Sequence, residues 1–214
     1  MFEAMTLYGY WRSSAAYRIR IAFGLKKIAW VDAPVNLLTS EQKDDAYMKI
    51  NPMGVVPALK LNDGTILTQS LAILDWLETK EPDPPLWPED PIARAKVTAA
   101  GHTIAVDTHP IQNSGVVNHL KAEYALRQDQ GVDWMIHWME RGFAAFQELC
   151  DQDTPFAFGD QPSFADVCLI PQLYNARRWK MNLRPYSRLT EIEFTCMRLA
   201  AFREAAPENQ PDAD

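Results

Sequence analysis

Apolar and polar positions change rhythm several times along this chain, and each change marks an element. Met5 to Gly9 reads as a short strand and Ile28 to Val35 as a second. Between them, Ser13-Ser14 opens a stretch in which Ala15, Ile19, Ala22, Phe23 and Leu25 recur at helical spacing. Lys26 and Lys27 fall near its end, where cations suit the helix dipole. A helix joining two strands implies that they run parallel. Ser40 to Met48 is polar, a short helix or turn. Ala58 to Leu61 and Thr65 to Thr68 then form short strand patterns around Asn62-Asp63-Gly64, a hairpin turn in which glycine accepts positive φ. Leu71, Ile73, Leu74 and Leu77 give the next helix its apolar face, with Ser70 placed as its N-cap. Pro57 lacks a ladder donor, so it belongs at a strand start or a special bend, and its bond to Val56 is a candidate for cis.

Glu81 to Pro91, EPDPPLWPEDP, breaks the pattern, because its prolines stiffen the connection and cannot continue a helix. Everything after it reads as helix. Asp90-Pro91 is an N-cap followed by proline at the first helical position. The Ala-rich run from Ala93 to Val106 meets His109-Pro110, which should kink or interrupt it. Further helices are expected over Ile111–Tyr124, Val132–Leu149 and from Ser163 to about Ala176, the last with Ser163 and Asp166 as a capping box. One or two short helices lie between Leu189 and Ala205, and the acidic tail from Pro207 is expected to be loosely held. The resulting division is an α/β unit over 1–82, a Pro-rich linker over 83–90 and an all-helical unit over 91–214.

Charge and cysteine content narrow the function. A net charge of −7 argues against nucleic acid as the main partner, since phosphate binding needs a basic surface. Cys150, Cys168 and Cys196 are far apart with no CxxC, so they read as core thiols in a reducing compartment rather than a disulfide framework. No signal peptide and no bilayer-length apolar run is present, and four histidines without paired spacing predict no metal site. The expectation is a soluble, cytoplasmic protein.

Several residues have chemistry to offer, each beside a plain structural use. Ser13 and Ser14 cap a helix by spacing alone. Gln69 and Ser70 sit where free N–H groups and the positive dipole end favour a carboxylate, and equally where a surface helix simply begins. Arg12 and Arg178 carry planar guanidinium groups suited to carboxylates, although arginines commonly make surface ion pairs and Arg177 competes with Arg178. His109 sits beside a helix-breaking proline, Asp166 reads as a cap, and Tyr8 as packing.

These pieces together resemble the glutathione transferase superfamily, a thioredoxin-like domain joined to an all-α domain. Trp11-Arg12-Ser13-Ser14 with Tyr17-Arg18-Ile19-Arg20-Ile21-Ala22, Asn51-Pro52-Met53 with Val56-Pro57, and Gln69-Ser70-Leu71-Ala72-Ile73 are similar to its zeta class. So are Pro110-Ile111-Gln112-Asn113, Gly159-Asp160 with Ala165-Asp166, Pro171-Gln172, and Asn175-Ala176 with Arg178. The resemblance implies glutathione as cofactor, a homodimer and a small dicarboxylic substrate; no membrane partner is expected, because no apolar run is long enough to span a bilayer. It implies a cis–trans isomerase converting maleylacetoacetate to fumarylacetoacetate in aromatic amino-acid catabolism. Maleylpyruvate isomerisation, conjugation or dehalogenation of small α-halo acids, and a non-catalytic binding module are its alternatives.

By the same resemblance Ser13 stabilises the glutathione thiolate, with Ser14 and Arg12 beside it as catalytic residues. Gln42, Val56, Gln69, Ser70, His109 and Asn113 contact glutathione, and Arg12 and Arg178 hold the substrate carboxylates. The resemblance also makes a cis Val56–Pro57 bond the expected one. Two positions depart from the pattern: Ala15 stands where the zeta class often has cysteine, and His109 where some members have glutamine.

Overall fold

The structure, a computed structural model, describes residues 5–213. The chain packs into two compact units, one comprising residues through Pro85 together with Arg198–Asp214, the other Leu86–Met197. In the first, strands β1 (Met5–Gly9) and β2 (Trp30–Pro34) are joined by helix α1 (Ser14–Lys26). The short helix α2 (Asp45–Met48), the hairpin β3 (Ala58–Lys60) and β4 (Ile66–Thr68), and helix α3 (Ser70–Lys80) follow. The sheet order is β2-β1-β3-β4. β1 and β2 are parallel, and the other two pairs antiparallel. This is the mixed sheet expected from a βαβ unit followed by a hairpin and a helix.

Helix α1 departs from its sequence pattern. Ser14, Tyr17, Arg18, Arg20 and Lys26 are buried along with its apolar residues, so the helix has no solvent face to speak of. Its far side is covered by a late segment of the chain, helix α10 (Ala200–Glu204), which comes so close that a side chain at Gly24 would lie 3.0 Å from the Ala201 backbone. The tail after α10 is not loose. Tyr17 donates its hydroxyl proton to the Phe202 carbonyl (3.2 Å), Arg20 Nε donates to the Ala205 carbonyl (3.1 Å), and Asp212 accepts the Trp11 N–H (3.0 Å). Residues 198–213 therefore pack with the first unit, although the sequence division assigned them to the helical half. Their partners lie almost the whole chain away, where composition gives no sign of them. At the other end of α1, the buried Lys26 ammonium donates to the Glu81 and Pro84 carbonyls at 2.6 and 2.8 Å and pairs with Glu78, pinning the start of the Pro-rich connection.

The second unit is helical throughout: α4 (Pro91–His102), α5 (His109–Gln112), α6 (Ser114–Tyr124), α7 (Gln128–Leu149), α8 (Phe164–Arg178) and α9 (Ser187–Cys196). Asp90 caps α4 by accepting from the Ile92 and Ala93 N–H groups, as read from sequence. Between α4 and α5 the backbone widens into a π-helical stretch, Thr103–Thr108, which is how the chain accommodates Pro110 without a sharp break. The Thr108 hydroxyl bonds the Thr103 carbonyl (2.7 Å), and a side chain at Gly142 of α7 would collide with that hydroxyl at 2.0 Å. Helix α8 is the core helix, with eleven of its fifteen residues buried. The expected capping box opens it: Asp166, 0% exposed, accepts from the Ser163 N–H, the Ser163 hydroxyl and the Ala157 N–H, each at 2.8 Å. Burial pushes its carboxyl above the usual range against the pull of those three bonds.

Candidate active site

The sheet register gathers the N-terminal candidates at one end. Tyr8 of β1 is level with Ala58 of β3, and Ala58 with Thr68 of β4. The residues following β1 (Arg12, Ser13), preceding β3 (Val56) and following β4 (Gln69, Ser70) therefore emerge together. Tyr10, Trp11, Val35, Tyr47 and Val56 form a buried cluster there, against which Tyr8 packs, as expected.

Ser13 is the N-cap of α1, its Oγ accepting the Ala16 N–H at 3.2 Å. That uses one lone pair, and no acceptor among the described residues takes the hydroxyl proton, which stays available to a ligand. Ser14 is buried inside the first turn. The Arg12 guanidinium lies 4.7 Å over the Trp11 ring and donates to the Tyr10 hydroxyl at 3.3 Å. Its Nε is buried with no hydrogen-bond partner among the described residues.

Helix α3 begins one residue earlier than expected. Gln69, not Ser70, is the N-cap: its carbonyl accepts from Ile73, its φ is +67°, and its side chain caps nothing. A glutamine in that region of φ is strained, and strain of this kind concentrates at ligand sites. Ser70 is the first helical residue, so its hydroxyl is not spent on capping. Its Oγ instead accepts from Arg18 Nη1 at 3.2 Å. Arg18, 2% exposed, belongs to the arginine-rich motif yet received no role from it. A cation donating to the oxygen of a hydroxyl strengthens that hydroxyl as a donor. The missed signal was a charged residue on a helix buried all round.

Val56, joined to Pro57 by a cis bond, makes no main-chain hydrogen bond among the described residues. The preceding Val55 carbonyl is doubly held, by the Tyr47 hydroxyl (2.8 Å) and the Asn51 amide (2.6 Å). Burial pushes the Tyr47 phenol up to about 12, so it keeps its proton and its role as donor. Gln42 belongs to a single 3₁₀ turn, Glu41–Lys43. Its backbone carbonyl lies 3.2 Å from where a Gly54 side chain would begin, and its Oε1 is buried with no hydrogen-bond partner among the described residues. Gln42 thus reaches the same loop as Val56.

In the second unit, His109 opens α5 directly after the π stretch. Asn113 caps α6, its Oδ1 accepting from the Gly115 N–H at 3.1 Å and the Ser114 hydroxyl at 3.2 Å, so only its NH₂ remains to offer. Between them, buried Gln112 accepts from Asn175 Nδ2 at 2.9 Å, which ties this junction to the last turns of α8. Arg178 ends that helix, exposed, its guanidinium 4.6 Å over the Trp179 ring. Arg177 is held by the Glu193 carboxylate through both its Nε and a terminal nitrogen. Of the two, Arg178 is the one not bound to that carboxylate. The three cysteines are buried free thiols, and burial raises those of Cys150 and Cys196.

A model of the glutathione S-transferase N-terminal domain matches residues 12–80, and one of the C-terminal domain matches 137–207. The chain belongs to the glutathione S-transferase family. The maleylacetoacetate isomerase of Pseudomonas aeruginosa is 40% identical to this glutathione S-transferase over 210 residues, 97% of this chain and 98% of its own. A bacterial zeta-class maleylpyruvate isomerase, solved in its holo form, superposes with a TM-score of 0.95 at 36% identity, covering 98% of this chain and 100% of that one. The maleylacetoacetate isomerase of Anaeromyxobacter dehalogenans, solved with glutathione in its active site, gives a TM-score of 0.89 at 40% identity, covering 99% and 98%. That enzyme has also been solved with dicarboxyethyl glutathione and citrate. The transferase fold expected from the sequence is the fold observed. The matched N-terminal stretch contains every N-terminal candidate residue. The C-terminal match contains Arg178 but begins after His109 and Asn113.

Proposed function

We propose that this chain is a glutathione-dependent cis–trans isomerase converting maleylacetoacetate to fumarylacetoacetate. The observation that carries the reading is the set of uncommitted polar groups at one end of the sheet: the Ser13 proton, the Val56 backbone, and the open start of α3 at Gln69-Ser70. They fit an extended peptide bearing a carboxylate at one end and a thiol in its middle. A carboxylate at α3 meets free N–H groups, the positive dipole end and the Ser70 hydroxyl. Val56 offers a strand-like edge to a peptide backbone, and Gln42 lies beside it for the far end of the ligand.

Glutathione when bound supplies a nucleophilic thiol that adds reversibly to the double bond and is regenerated. The chain's own residues bind and orient. Ser13 donates its proton toward the sulfur at the N-terminus of α1, where the dipole and the Arg12 cation favour an anion. Ser14 supports that turn. Arg12 and Arg178 are assigned to the substrate carboxylates, and His109 and Asn113 to glutathione. With Ala15 beside the serines, no cysteine side chain takes part at that position. The reading includes a homodimer in the cytoplasm serving aromatic amino-acid breakdown. Buried free thiols suit that reducing compartment.

The test is to incubate the purified protein with maleylacetoacetate, with and without glutathione, following double-bond geometry and thiol content by NMR. Trans product that requires glutathione without consuming it supports the reading. Thiol loss matching substrate loss would replace isomerisation by conjugation. A faster reaction with maleylpyruvate would move the substrate to that of the zeta-class relative.

A further inference from the structure

Trp11 stands between β1 and α1, one residue before Arg12 and two before Ser13, and no strand or helix bond holds it. Both of its main-chain polar groups are gripped from elsewhere. The N–H donates to Asp212 Oδ2 at 3.0 Å, and the carbonyl accepts from Arg20 Nη2 at 2.8 Å. Arg20, 3% exposed, also donates from Nε to the Ala205 carbonyl, so one guanidinium joins the loop to the late segment of the chain. Asp212 is presented by a folded turn. The Gln210 amide donates to the Glu204 and Ala206 carbonyls, the Ala213 N–H closes back onto the Gln210 carbonyl at 3.0 Å, and Ala213 packs on the Tyr10–Trp11 cluster. The Arg12 guanidinium rests on the ring of this same tryptophan.

We propose that Asp212 and Arg20 are positioning residues: by holding the N–H and carbonyl of Trp11 they set where Arg12 and Ser13 stand. Each bond has an ionised partner, which makes it roughly twice as strong as a neutral one. A reacting constellation has to be held to about 0.5 Å. Misplacing the loop moves the Ser13 donor and the Arg12 cation while leaving Val56, Gln69 and Ser70 in place. The loss therefore falls on turnover more than on glutathione affinity. This rests on the assignment of Arg12 and Ser13 made above.

The test compares wild type, Asp212→Ala and Asp212→Asn, the last keeping one oxygen acceptor. Amide hydrogen exchange on the ligand-free proteins reads the grip directly. Asp212→Ala should speed exchange at Trp11 about tenfold, as expected for a lost hydrogen bond, leaving α8 amides unchanged, with Asp212→Asn between. In kinetics, Asp212→Ala should lower kcat about tenfold or more while the glutathione Kd by calorimetry moves less than threefold. Asp212→Asn should recover most of kcat. Unchanged exchange at Trp11 would overturn the grip. Faster exchange with unchanged kcat would overturn the positioning role and leave a structural staple. If Asp212→Ala fails to fold, Asp212→Asn decides alone, by whether exchange and kcat shift together. Wild type that binds no glutathione overturns the assignment of Arg12 and Ser13, and with it the kinetic arm, while the exchange arm still judges the grip.

Discussion

Three helix starts in this chain handle the same problem differently. At α8 a side chain closes the cap: Asp166 takes the Ser163 N–H, the Ser163 hydroxyl and the Ala157 N–H. At α1 the satisfaction is half done, with Ser13 accepting one N–H and its proton uncommitted. At α3 no side chain caps at all, and the cap residue sits at positive φ. Closure suits the buried α8 start, since buried orphan donors cost about 1–3 kcal/mol each. On the function proposed above, the starts of α1 and α3 stay open for a ligand. In sequence the three look identical, since Ser13, Ser70 and Ser163 all read as N-caps.

The comparison is most strongly challenged at α8. Asp166→Ala leaves three donors without their acceptor, and should cost about 3–5 kcal/mol of stability by analogy with breaking a buried ionic site. The urea midpoint measures it, and turnover per folded molecule should hold. A loss below about 1 kcal/mol, the size of an ordinary cap, would end the distinction drawn here.

Ser13→Ala should do the opposite, slowing isomerisation near neutral pH by about 10²–10³ while lowering stability by only about 1 kcal/mol. The pKa of the bound thiol should rise, so the deficit shrinks with increasing pH as more thiol ionises unaided. Titrating thiolate absorbance and rate together checks this. A wild-type profile would shift the role to Ser14 or the backbone. Ser70→Ala comes next. Losing a hydrogen bond to a carboxylate, about 1.5–3 kcal/mol, should weaken glutathione about tenfold or more in calorimetry. An unchanged Kd removes Ser70 from the site.

The smallest effect concerns Gln69. Gln69→Gly relieves the positive φ and should raise the thermal midpoint by the equivalent of about 1 kcal/mol, while glutathione binding weakens through the lost side chain. A destabilised variant would show that the glutamine pays nothing for its conformation.

Much of the fold was legible because its signals are local. The Asn62-Asp63-Gly64 turn, the Asp90-Pro91 start and the Ser163–Asp166 box depend on residues within a few positions of one another. The sequence pattern puts the α3 cap one residue late, at Ser70, since serine caps so often that its spacing alone cannot reveal Gln69 at φ +67°. Arg18 and Arg20 were visible as a motif, but their burial depends on Ser70 and Ala205, each distant in sequence. In the sequence, the π stretch before His109 shows only as an interruption at Pro110. Its form depends on Thr108 and on the bare α-carbon of Gly142.

The first unit is discontinuous along the chain, and this orders events during synthesis. Domains made early on the ribosome generally fold as soon as they emerge. Here α1 appears early, but the residues that cover its second side and receive the Tyr17 and Arg20 protons come only after all of Leu86–Met197. The first unit can therefore reach its finished form only once the helical half has been made, and in the meantime the nascent chain carries Arg20, buried in the finished fold, without its Ala205 partner.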